Sequence, residues 1–168
     1  MRISDALIME LQQEAKTTRR VLDRIPGNTL SWRPHKKSMS LGQLGLHVAQ
    51  TPGFVVQIAK ADLSALPPFQ QAEAASTRDV LAALDASVAD ATAALNGWDD
   101  AKMLETWTLS NDGKTLMAIP RVGVIRTFLL NHWYHHRGQL VVYLRLLDVP
   151  VPSVYGPSAD GNPFAGAS

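Results

Sequence analysis

The sequence predicts an all-α protein: a four-helix bundle, with a small β-hairpin before the last helix. Three observations predict it. Four stretches repeat apolar residues at helical spacing. The chain has 168 residues, 46% of them hydrophobic, which is enough for one core and no more. The helical pattern changes in one place, around Asn111-Asp112-Gly113, where β-favouring residues flank a turn signal. Residues 1–150 are therefore expected to form the bundle domain and residues 151–168 an irregular C-terminal tail.

In the first helix Ile3, Leu7, Leu11, Ala15 and Leu22 share a stripe, while Glu10, Glu14, Lys16, Arg19 and Arg20 fill the polar face. Pro26-Gly27 sets its end. The connection from Ile25 to Met39 holds two prolines and a glycine and reads as a loop anchored by Trp32. Ser40 opens the second helix as an N-cap, with Gln43 three residues on reaching back in a capping box. Leu44, His47, Thr51, Phe54 and Ile58 then lie on one face. Pro52 removes a backbone hydrogen bond inside this helix, which predicts a kink or a break there.

A long connection over Asp62 to Ala75, containing Pro67-Pro68, leads to a second capping pattern at Ser76. The third helix runs from there to Asn96-Gly97 on a stripe of Val80, Leu84, Val88, Ala91 and Leu95, and its alanines permit close approach of a neighbour. The hairpin follows, with an extended loop as its alternative. Pro120 opens the last helix, which reaches Leu147 before Pro150 and Pro152 end it.

The chemistry is concentrated in three histidines. At 100° per residue His132 and His136 lie about 40° apart on the face that also carries Ile125, Leu129, Gln139 and Tyr143. Imidazoles at i and i+4 are about 6 Å apart along the axis and can converge on one ion. H-E-x-x-H sites use the same spacing, but Trp133 stands where their glutamate would be. His47, on the apolar face of the second helix, is the candidate third ligand. Buried imidazoles need polar partners, and no aspartate or glutamate shares these faces, so three such rings together point to a metal. His135 is either a further ligand or a neighbour of the site. Gln139 faces inward on this wheel and is placed to orient a ligand, and Tyr143 is a second orienting candidate or a core aromatic. Arg137 faces away, which suits a structural ion pair or a subunit contact. Gly138, costly inside a helix, implies close helix packing.

Composition excludes much else. Sixteen basic and fifteen acidic residues, a net charge of +1, leave no electrostatic footprint for nucleic acid, and His35-Lys36-Lys37 reads as a solvated loop. Without cysteine there is no disulfide, thiolate nucleophile or sulfur-based zinc site. The N-terminus becomes charged too early for a signal peptide, and no stretch approaches a membrane span, so a cytoplasmic protein is expected, with no membrane partner.

On these residues the sequence resembles the DinB family, the DinB/YfiT-like metalloenzymes. The resemblance rests on S-L-G-Q-L-G-L-H-V-A around His47, on N-H-W-Y-H-H-R-G-Q-L-V-V-Y-L-R-L-L around His132 and His136, on W-R-P at Trp32 to Pro34, and on the V-P-V-P-S-V-Y-G-P-S-A-D ending. It implies a bundle of DinB/YfiT-like topology in which His47, His132 and His136 bind nickel, zinc or iron, with open positions for water. It also implies homodimers, and chemistry in some branches that uses low-molecular-weight thiols. The expected function is a divalent-metal-dependent enzyme that activates a water or a thiol, for hydrolysis or thiol S-transfer on a small molecule. No dedicated general base appears beside the ligands. The alternative is a non-catalytic metal-binding or stress-response protein with a structural or sensing site.

Overall fold

In the computed structural model, which describes residues 1–65 and 68–164, four long helical segments surround one apolar core. They are α1 (Ile3–Leu22), α2 (Leu41–Ile58), α3 (Thr77–Asn96) and a final run of three consecutive stretches. That run comprises α5 (Arg121–Val124), a π-helical segment (Ile125–Asn131) and α6 (His132–Leu146). A short α4 (Asp100–Leu104) and the strands β1 (Thr106–Asn111) and β2 (Lys114–Pro120) lie between α3 and α5. The principal neighbours of α2 are α3 and α6, and those of α1 are also α3 and α6, so the two consecutive helices α1 and α2 sit diagonally across the bundle. Pro67, half of the expected proline pair, and residues 165–168 of the tail lie outside the described residues.

The caps form as their chemistry predicts. Ser40 Oγ accepts from Gln43 N at 3.1 Å while Ser40 N donates to Gln43 Oε1 at 3.0 Å, closing the box that starts α2. Ser76 caps α3 through Asp79 N, and Gly97 ends it. α1 stops earlier than Pro26 alone implies: its helix closes at Leu22, and Asp23 forms the C-cap. On α3, Ser87 is buried where the stripe placed Val88, which is half-buried. The Asp-Gly signal delivers the hairpin. Asp112 (φ 49°) and Gly113 (φ 75°) form the two-residue turn, both with the positive φ that a right-twisted hairpin requires, and the register slips once after Leu109.

α2 is unbroken at Pro52, and the reason is visible. Proline provides no N–H for the carbonyl of Val48, four residues earlier, so that oxygen needs another donor. The buried indole of Trp133 on α6 supplies it, Nε1–H to Val48 O at 2.7 Å. One residue further, Gly53 N donates to Ser87 Oγ at 2.7 Å, and a Cβ on Gly53 would lie 3.1 Å from the Ser87 Cα. The missing side chain at Gly53 is thus what lets α3 approach. Gly138 differs from expectation: a Cβ there would meet nothing within 4 Å, so helix packing does not require it.

The far end of α2 is also tied down. Arg121, 2% exposed, directs its guanidinium at the carbonyls of Ala59 and Lys60 and pairs with Glu105 at 3.1 Å. Trp107 Nε1–H reaches the carbonyls of Ile58 and Ala61. These donors satisfy helix-end oxygens that would otherwise be orphaned. No helix among the described residues is long and apolar enough to cross a membrane.

Candidate metal centre

α2 and α6 meet with their histidines facing. His47, His132 and His136, all half-buried, each bring one ring nitrogen within 4.8 Å of the others. The Nε2 atoms of His47 and His132 are 3.0 Å apart, and the His136 ring centroid is 4.4 Å from each of the other two. The three residues expected from sequence are therefore together in space. Helical phase explains the α6 pair, which sits wholly after the π segment, so the i, i+4 geometry is undisturbed. The 100° wheel does not carry back through the wider turn of Ile125–Asn131, which no local composition announces.

The second nitrogen of each ring decides whether the first can ligate. Gln71 Oε1 accepts from His47 Nδ1–H at 3.2 Å, and Gln139 Oε1 accepts from His136 Nδ1–H at 2.7 Å. An amide oxygen accepts only, so both rings hold their proton on Nδ1 and turn a bare Nε2 lone pair inward. The Nε2 atoms of His47 and His132, 3.0 Å apart, are close enough to share a proton in the free protein, and exchanging that proton for a cation gives the ion imidazole donors from both helices. The donor set thus fits a divalent ion of intermediate hardness, and the amides are the partners that fix ligand orientation. Gln139 performs this role from an exposed position rather than from inside the bundle, its Nε2 donating to His135 Nε2 at 3.0 Å. His135 is exposed and outside the group of three.

Burial is the main cause that pushes the pKa of each of the three imidazoles below the ordinary value, with charge on neighbouring histidines adding to it. The bonds to Gln71 and Gln139 work the other way. The rings are accordingly neutral and competent as ligands at neutral pH.

Gln71 belongs to the connection between α2 and α3, where no periodicity marks it. Its place follows from the α2 N-terminus: Gln43 Nε2 donates to Gln71 O at 3.2 Å, and Ser40 Oγ donates to Glu73 Oε2 at 2.6 Å. The capping pair that starts the helix also straps this segment over His47. Phe69, on the same segment, packs edge-on to the His47 ring at 5.5 Å and lies 6.0 Å from Phe54. Beside the histidines a cleft of about 380 Å³ is walled by Met39, Phe54, Phe69 and Phe128. A second cleft shares His47, Thr51, Phe54 and Phe69 but carries Gln50, Gln57, Ser87 and Asp90.

Other residues singled out from sequence have different duties. Tyr143 donates to Met39 O and packs edge-on to Trp32 at 5.7 Å, so it is a core aromatic and Trp32 is its anchor. Arg137 is 2% exposed and pairs with Glu14 at 2.6 Å, bonds Thr18 Oγ1 and the Tyr155 hydroxyl, and lies against the rings of Tyr134 and Tyr155. It is a structural ion pair that joins α6 to α1 and the tail.

A family model described as the DinB family matches residues 2–161. The chain is 24% identical over 158 residues to YrdA, an uncharacterized protein of Bacillus subtilis strain 168, covering 93% of this chain and 90% of that one. Its fold is similar to the crystal structure of a DinB-like protein from Bacillus cereus ATCC 10987, with TM-score 0.72 at 19% identity, covering 90% and 97% of the two chains. It is likewise similar to that of the DinB-like protein YjoA from Bacillus subtilis, with TM-score 0.68 at 18% identity, covering 89% and 96%.

Proposed function

This chain belongs to the DinB family, and we propose that it is a divalent-metal-dependent enzyme that acts on a small molecule by activating a water or a thiol. The observation that carries this reading is the convergence of three neutral imidazole nitrogens from two helices, two of them aimed by glutamine side chains, at one end of a cleft. With three neutral ligands the ion's charge stays uncancelled, which lowers the pKa of a bound water toward ~7 and favours a thiolate. His47, His132 and His136 hold the ion, Gln71 and Gln139 keep the Nε2 atoms inward, and Phe69 with Phe54 shields the site from bulk water. Hydrolysis and thiol S-transfer are the two reaction classes this arrangement serves. Imidazole donors suit nickel, zinc and iron.

Three protein ligands beside a cleft favour a catalytic site over a structural one, which usually has four. The test loads the protein with each metal and assays thiol plus electrophile, then ester and amide panels. Metal-dependent turnover that disappears in His132→Ala supports the proposal. No turnover, joined to a large fall in melting temperature on chelation, would instead support a non-catalytic metal protein. The family resemblance also supports a cytoplasmic homodimer, which gel filtration with light scattering checks.

A further inference from the structure

The cleft beside the histidines has an unusual lining for a polar reaction centre. Away from the three rings its walls are Met39, Phe54, Val55, Ile58, Phe69 and Phe128, with Thr51 the remaining residue, and none of these is charged. Thr51 Oγ1–H already donates to the His47 carbonyl at 2.7 Å. The apolar walls thus offer a ligand contact area, while the histidine end offers the polar anchor.

Two of these aromatics are exposed as they stand. Phe54 is 43% and Phe69 57% accessible, yet both stand at the mouth of the histidine site, with Phe69 edge-on to His47. Their rings are tilted at 56° with centroids 6.0 Å apart, an arrangement that a further ring can extend by edge-to-face contact. Phe128 adds a third ring to the lining from the π segment, and Met39 adds a polarizable thioether suited to ring edges. A volume of about 380 Å³ lies in the lower range for small-molecule sites and excludes a macromolecule.

We infer that this cleft binds a compact aromatic molecule bearing one anionic donor atom, the ring seated among Phe54, Phe69 and Phe128 and the donor directed at His47, His132 and His136. This rests on the metal reading proposed above. The sign of the donor follows from charge: three neutral imidazoles leave the ion cationic, and no carboxylate is among the described residues that line this cleft, Asp90 standing in the adjoining one. The aromatic class follows from the three phenylalanine rings, which an aliphatic chain would contact less well.

The test uses the full chain loaded with cobalt(II), with metal content measured directly in every sample. Phenylmethanethiol and ethanethiol are titrated at equal thiolate concentration, and the sulfur-to-cobalt absorption band is followed. Phenylmethanethiol should bind about tenfold more tightly or better, because its ring is removed from water against aromatic walls. Phe54→Ala and Phe69→Ala, at exposed positions that folding does not depend on, should together shrink that preference to about twofold, as the ring contacts are lost. Equal affinity for the two thiols in fully loaded protein overturns the aromatic assignment and leaves the metal reading standing. So does a preference that survives both substitutions. Failure to take up cobalt overturns both.

Discussion

Pro52 and Trp133 act as a pair, although they stand 81 positions apart. The proline frees the Val48 carbonyl and the indole N–H takes it, so the bond between α2 and α6 lies one residue beyond His47 on one side and one residue beyond His132 on the other. The histidines are held at ligating distance by this brace and by the two glutamines. Trp133→Phe, which keeps the ring and removes the donor, should weaken metal affinity by about tenfold, the scale on which supporting bonds to ligands act. Gln139→Leu, which leaves His136 free to rotate, should do the same, in the range of about 10- to 100-fold. Competition with a chromophoric chelator measures both. The metal-free protein should also lose stability as pH falls below 6.5. Burial lowers all three imidazole pKa values, so between the ordinary value and the lowered one the unfolded chain binds more protons. That stability is fully present above 6.5 and is lost as pH falls through the lowered values; thermal melts from neutral pH downward will show it. That His47, His132 and His136 come together was legible in the sequence because each lies on a periodic helix face. Gln71 and Phe69 were not, because a connection has no period to read, and Gln139, read on the histidines' face as an orienting residue, bonds His136 but is exposed rather than turned into the bundle.

At the scale of elements, the helices follow their signals and the exceptions have causes. Ser40 with Gln43, Ser76 and Asp112-Gly113 mark boundaries that local chemistry alone determines, so they could be read directly. The π segment could not, because nothing in the residues Ile125–Asn131 themselves marks the wider turn. The glycines separate local cost from tertiary need. Gly53→Ala pushes a methyl against the Ser87 backbone at 3.1 Å and should destabilise the fold by about 1–3 kcal/mol. Gly138→Ala enters open space on an exposed helical position and should stabilise it by about 0.5–1 kcal/mol. Urea denaturation of the two variants, with opposite shifts in midpoint at constant slope, checks the contrast.

Across the whole molecule, α6 connects the bundle. One side meets α2 through the histidines and Trp133, and the other meets α1 through Arg137, whose partner Glu14 is itself only 12% exposed. Sequence phase indicated that Arg137 points away from the histidines. Its partner could not be read, because Glu14 belongs to a helix face that looks polar until the tail and Tyr155 cover it. Arg137→Leu strands that carboxylate and should cost about 3–5 kcal/mol of stability by denaturant titration. Metal content in the purified, folded fraction should be retained. The Arg137–Glu14 network and the three-histidine cluster thus use separate positions of α6. The proposed metal centre stands or falls with α2 supplying the third ligand. Elemental analysis of wild-type and His47→Ala protein, each loaded with excess nickel or zinc and then desalted, tests it most directly. The wild type should retain one ion per chain and the variant almost none, while full retention by a folded His47→Ala protein would contradict the assignment.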